Sequence, residues 1–241
     1  MRDPTQRFGD RVDDYVRFRP DYPAALLDWL GSAQTVADLG AGTGIFTTQL
    51  LERGHTVHAV EPNAAMRAAM APHDRLTLHE GTADATGLPD GSVDLLVAAQ
   101  AFHWFEPVAA AKEARRILRP EGGVALVFNN RRRDGADMQA YLELLNTHGT
   151  DFKKVERHDK IAGRAVAFFG GPFETQVFPH HQDLDREGLR GRLRSCSYLP
   201  AEGEAGHEAV MQASDDLFAE HGSKDLFRIR YDTLVLYRRP Y

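Results

Sequence analysis

The stretch TVADLGAGTGIFTTQLLERGHTVHAVEPN, residues 35–63, decides the fold. A short apolar run at 35–39 leads into glycines at Gly40, Gly42 and Gly44, and a helical pattern follows until Gly54 closes it. A strand therefore hands over to a helix through a turn that is nearly bare backbone. The run TVHAVE at 56–61 reads as a second strand, which makes the segment a βαβ unit of a parallel sheet. In open sheets of that kind, ligands bind outside the carboxyl ends of the strands, where this turn lies.

Working outward, the alternation of short β-rich runs with longer helical patterns continues. AAMRAAMAP is the next helix, stopped by Pro72, and LTLHEGTA carries the third strand. VDLLVAA at 93–99 is a nearly continuous apolar run, as expected of a central strand covered on both faces. PVAAAKEARRILRPEGG shows one apolar helical face, and VALVFNN at 124–130 is the fifth strand. Beyond residue 130 the pattern weakens. ADMQAYLELLNTHG, DREGLRGRLRSCSYL and HEAVMQASDDLFAEHG read as helices, FETQVFPH at 173–180 as a sixth strand, and LFRIRYDTLVLYRRP as a long seventh strand antiparallel to it. The expectation is a single α/β domain over 1–241: a Rossmann-like, seven-stranded, mostly parallel sheet with an antiparallel last strand, in three αβα layers. Segment 1–30 and helices inserted in 136–241 form a small cap over the core at 31–135.

A chain of 241 residues with 42% apolar content can bury a core of this size. The net charge of -6 and the absence of a long basic segment argue against nucleic acid as a partner. No apolar run approaches the roughly 18 residues of a membrane span, and the lone Cys196 has no partner for an internal disulfide. A cytoplasmic protein, monomeric or homodimeric, with a small-molecule substrate is expected. Adjacent histidines at 180 and 181 point to opposite faces of a strand, so no metal site is expected.

The glycine spacing narrows the ligand. The dinucleotide fingerprint places its third glycine where this chain has Ile45, and no Gly-Lys-Ser/Thr follows for a phosphate-binding loop. DLGAGTG instead resembles the first motif of class I S-adenosylmethionine-dependent methyltransferases. GTADATGLPDGSVDLLVAAQAFHWF and ILRPEGGVALVF are similar to that family's later motifs in the same order. AQAFHWF, LRPEGG and the N-terminal YVRFRPDYP look more narrowly like the type 11 small-molecule branch, which includes trans-aconitate methyltransferase-like enzymes.

The resemblance implies S-adenosylmethionine as cofactor and a set of residues around it. Asp38, Gly40, Ala41, Gly42 and Gly44 would receive its methionine part, and Glu61 would accept from two ribose hydroxyls. Asp84 and the Ala85 N–H would meet the adenine edge, with Leu88 and Pro62 against its faces. Gln100, Ala101 and Phe102 would end the fourth strand beside cofactor and substrate. Tyr15, Arg19, Tyr22, His103 and Trp104 are the substrate-side candidates, Arg19 because a guanidinium binds carboxylates in a fork. His103 is the candidate general base, needed only when the acceptor arrives protonated. The run Arg131–Arg133 is read as a solvated loop. The implied reaction is methylation of a small molecule at a carboxylate or hydroxyl oxygen. Carbon methylation of the quinone-biosynthesis type, a dinucleotide oxidoreductase and a non-catalytic cofactor-binding protein stand as alternatives.

Overall fold

The computed structural model describes residues 12–31, 35–150 and 159–241. Seven strands form one sheet in the order β3-β2-β1-β4-β5-β7-β6. They are β1 (Thr35–Leu39), β2 (Thr56–Val60), β3 (Leu76–His79), β4 (Val93–Ala99), β5 (Leu118–Arg131), β6 (Glu174–Leu184) and β7 (Phe227–Arg238). Only β7 runs against the rest, pairing antiparallel with both β5 and β6. The chain order reverses between β1 and β4, which pair in parallel through Val36↔Leu95 to Asp38↔Val97. A crevice opens at such a switch point, beyond the ends of the two strands.

The helices are α1 (Val12–Phe18), α2 (Ala24–Leu30), α3 (Ile45–Glu52), α4 (Ala64–Ala69), α5 (Pro107–Ile117), α6 (Ala136–His148), α7 (Asp159–Phe169), α8 (Arg186–Arg194) and α9 (His207–His221). One sheet face is covered by α2 and α3, through Leu26, Leu27, Phe46 and Leu50. The other is covered by α5 and α7, through Ala110, Ala114, Ile117 and Phe168. A third apolar cluster joins α6, α8 and α9 to Phe227, Ile229 and Tyr231 of β7, and this is the cap.

Local chemistry explains most boundaries. Asn63 caps α4 by accepting from the Met66 N–H, and Glu106 caps α5 by accepting from the Ala109 N–H, with Pro107 in the first turn. Asp185 caps α8 in the same way, accepting from the Gly188 N–H. Helix α1 lies against α8, where a Cβ on Gly191 would stand 2.2 Å from the Phe18 ring. That close approach requires glycine, and it anchors the segment that leads to Arg19.

The expected strands and helices are present with shifted ends. β3 stops at His79, before the expected GTA, because Thr82 and Ala85 exchange backbone hydrogen bonds and turn the chain away. Helix α7 had no counterpart in the sequence reading. Its apolar residues Ile161, Ala165, Phe168 and Phe169 nevertheless fall at helical spacing and pack into the core with α5.

Candidate functional site

The glycine turn after β1 is held from beneath. Gly40 N–H donates to the Val60 carbonyl at 2.8 Å, and Gly42 N–H donates to Glu61 Oε2 at 3.0 Å. Gly40 has φ +68°, and a Cβ there would lie 2.6 Å from the Ala101 Cβ, so the turn meets the end of β4 with no room for any side chain. Opposite it, Gln100 takes φ 56°, a left-handed conformation uncommon in non-glycine residues. Its side chain donates to the Asn129 carbonyl at 3.2 Å and its N–H to the Val127 carbonyl, which tie the ends of β4 and β5 together.

These elements enclose a cavity of about 490 Å³, within the range of roughly 300–1,000 Å³ usual for small-molecule sites. Asp38, Gly40, Ala41, Gly42, Glu61, Pro62, Asp84, Gln100 and Ala101 all line it, as do Arg19, Tyr22, His103 and Trp104. The structure thus brings most of the candidate residues to one place.

Four candidates stand elsewhere. Phe102 is fully buried in the core against Phe105, Phe128 and Phe168, because the short helical turn after β4 rotates it inward while His103 and Trp104 face out. Ala85 does not line the cavity, and its N–H is already given to the Thr82 carbonyl at 3.1 Å, so it cannot serve the adenine edge as expected. Leu88 is likewise a core residue. Gly44 lies behind the cavity wall, beside Met70. The side chain of Tyr15 lies outside the described residues.

Two buried carboxylates stand beside the glycine turn. Asp38 is buried, with Oδ2 accepting from Thr47 Oγ1 at 2.7 Å, while Oδ1 has no hydrogen-bond partner. Burial above all, with the Glu61 charge nearby, pushes its pKa up to about 7 against the Thr47 hydrogen bond. Glu61, also buried, accepts from Gly42 N–H and, at 2.9 Å, from Asn63 N–H. Each oxygen keeps a second lone pair for a further donor.

The comparisons with known proteins follow this geometry. The family model described as "Methyltransferase domain" matches residues 37–126. An uncharacterised methyltransferase of Mycobacterium tuberculosis is 46% identical over 136 residues, which are 54% of this chain and 55% of that protein. An uncharacterised methyltransferase-like protein of Schizosaccharomyces pombe is 36% identical over 203 residues, 79% of this chain and 70% of that one.

The chain belongs to the methyltransferase family.

The structure of a candidate type II methyltransferase from Anaeromyxobacter dehalogenans superposes with a TM-score of 0.70 at 27% identity, covering 92% of this chain and 98% of that one. The match to the M. tuberculosis methyltransferase spans about half of its length. The family's methyl donor is S-adenosylmethionine, and the residues present fit it. A buried carboxylate oxygen without a partner suits an ammonium, a bare glycine turn admits a close ligand, and Glu61 has acceptor capacity for a diol.

Several lining residues of the cavity were not singled out as site residues in the sequence. Thr43 lies within the glycine motif, Asn63 follows the acid at the end of the second strand, and Asn129 is a polar residue near the end of an apolar strand. Arg131 belongs to a run read as a solvated loop. Arg132 does pair with Asp134 near the surface, but Arg131 turns inward to Tyr198, with Nη2 to Oη at 3.0 Å. Arg192 carried one readable signal. It shares a helical face with Leu189 and Leu193, which makes it a charged residue in an apolar stripe.

Proposed function

We propose that this methyltransferase moves the methyl group of S-adenosylmethionine to an oxygen of a small molecule, a carboxylate or a hydroxyl. The observation that carries this reading is the unpartnered, buried Asp38 Oδ1 beside Gly40 in the same cavity wall as the Glu61 carboxylate. The bound donor supplies a methyl group on a sulfonium, open to in-line displacement.

The chain's own residues then have distinct roles. Asp38 offers a counter-charge to the donor's ammonium, and Glu61 accepts from its ribose hydroxyls. Asp84, exposed at the cavity rim, accepts from the adenine amine. Arg19, Tyr22 and Trp104 shape the acceptor side, with Tyr22 fixed edge-on against Phe46 at 4.7 Å between centroids. Asn129 binds the Asp21 carbonyl at 3.0 Å and so fastens the N-terminal segment across the end of β5. Holding nucleophile and methyl in line supplies much of the catalysis in such a displacement. A carboxylate acceptor needs no base. For a hydroxyl, His103 at the cavity mouth takes the proton.

The acidic-substrate reading agrees with the resemblance to the trans-aconitate methyltransferase-like branch. The test is calorimetry with S-adenosylmethionine and S-adenosylhomocysteine, followed by transfer from labelled donor to a pool of carboxylic and hydroxy acids with mass identification of the product. Stoichiometric binding and an O-methyl product are expected. Failure of both compounds to bind would sink the reading, and label recovered on carbon would replace oxygen as the acceptor.

A further inference from the structure

One wall of the cavity is lined by residues of the cap and of β7. Arg192 of α8 and Tyr231 of β7 line it from the cap side, although each is only 1% exposed. Arg192 Nη1 donates to Cys196 Sγ at 3.1 Å and to Ser195 Oγ at 3.3 Å, and its Nε meets no acceptor. Among the described residues, no carboxylate pairs with it. The Tyr231 hydroxyl is also buried without a hydrogen-bond partner. Arg131 reaches the same corner from the end of β5, its guanidinium 6.0 Å from the centre of the Tyr141 ring. Arg19 joins from the N-terminal segment, donating to the Ser195 carbonyl at 2.7 Å.

Arginine keeps its charge in proteins, and a buried charge without an opposite one is costly. The nearest internal anion is a thiolate at Cys196. Burial pushes that thiol up, but Arg192, Arg19 and Arg131 outweigh it and bring it down to about 7. One partly ionised thiol does not fully balance Arg192, and Cys196 is not on the cavity wall. The unused donors, Arg192 Nε and the Tyr231 hydroxyl, stay available for a ligand.

We propose that Arg131, Arg192 and Tyr231 form a receiving corner for an oxyanion on the methyl acceptor, a carboxylate or a phosphate. This rests on the methyltransferase reading and extends it. The acceptor is then an acid whose charged group is held by the cap while another oxygen meets the donor at the glycine turn, or a diacid of which one carboxylate is methylated.

The test titrates succinate, and separately inorganic phosphate, into protein saturated with S-adenosylhomocysteine, and repeats this with Arg192→Met and Tyr231→Phe. Succinate tighter than phosphate assigns the corner to carboxylates, and the reverse order assigns it to phosphate. The expected result is one anion per chain, weakened about 100-fold in Arg192→Met and about tenfold in Tyr231→Phe, with affinity for S-adenosylhomocysteine unchanged. Three results overturn the proposal: neither anion binds, both variants bind as the parent does, or S-adenosylhomocysteine weakens in step with the anion. In the last case the arginines hold the donor's own carboxylate. If Arg192→Met does not fold, Tyr231→Phe decides alone. If S-adenosylhomocysteine does not bind the parent protein, the donor reading fails, while the same titration on ligand-free protein still tests the corner.

Discussion

Asp38 and Glu61 each set an expectation. Asp38 has a folded pKa of about 7, so at lower pH it holds a proton that an incoming ammonium must displace. Binding of S-adenosylhomocysteine well below pH 7 is therefore expected to release up to about one proton, and well above it almost none, since the carboxylate is already ionised. Calorimetry in buffers of different ionisation enthalpy measures this, and the same release from Asp38→Asn would show another group to be responsible. Glu61 already satisfies Gly42 and Asn63 N–H groups before any ligand arrives. Glu61→Gln replaces one acceptor oxygen by a donor, so either a backbone N–H or a ribose hydroxyl loses its partner. A fall of about 10–100-fold in affinity for S-adenosylhomocysteine is expected. An unchanged dissociation constant would mean that Glu61 serves only the turn.

Among the elements, α5 fixes the loop that presents Asp84. Its buried Glu113 accepts from the Thr86 N–H at 2.9 Å and hydroxyl at 2.6 Å, and Arg116 donates to the same carboxylate at 2.7 and 2.8 Å. The Arg116 hydrogen bonds above all hold Glu113 down to about 2, against the opposing effect of burial. The unfolded chain binds this proton at a higher pH, so the stabilisation is full above about 4.5 and is lost as pH falls toward about 2. Glu113→Gln is expected to cost about 1–3 kcal/mol at neutral pH and to flatten that acid limb in denaturant melts. A parent-like acid limb in the variant would assign the titration elsewhere. The start of α5 was readable from the sequence because Pro107 and a polar cap are local signals. The Glu113 contact was not, because its partner Thr86 sits in a loop with no period of its own.

The cavity as a whole is built jointly by the sheet and the cap, so a ligand in it couples the two. S-adenosylhomocysteine at about 100 times its dissociation constant stabilises by about 2.7 kcal/mol, or roughly 5–10 °C in Tm for a chain of this size. A thermal melt checks this, and an unshifted Tm at a ligand level known to saturate would mean that the unfolding unit excludes the cavity. The sheet and the glycine turn that lines the cavity were legible in residues 35–130, because strand period and glycine spacing are properties of neighbours in the chain. β4 was readable as a central strand from its apolar continuity alone, and it pairs with both β1 and β5. The cap side of the cavity was not. Arg131 and Tyr231, about a hundred residues apart, stand opposite one another in the β5–β7 pairing, and Arg192 of α8 joins them only when the cap packs on the sheet. Rotation of a single short turn likewise decided that His103 and Trp104 face the cavity while Phe102 enters the core. Local pattern carries backbone direction and the face on which apolar residues fall. Which polar side chains lose water together, and so which charges need a partner, depends on contacts that exist only after packing.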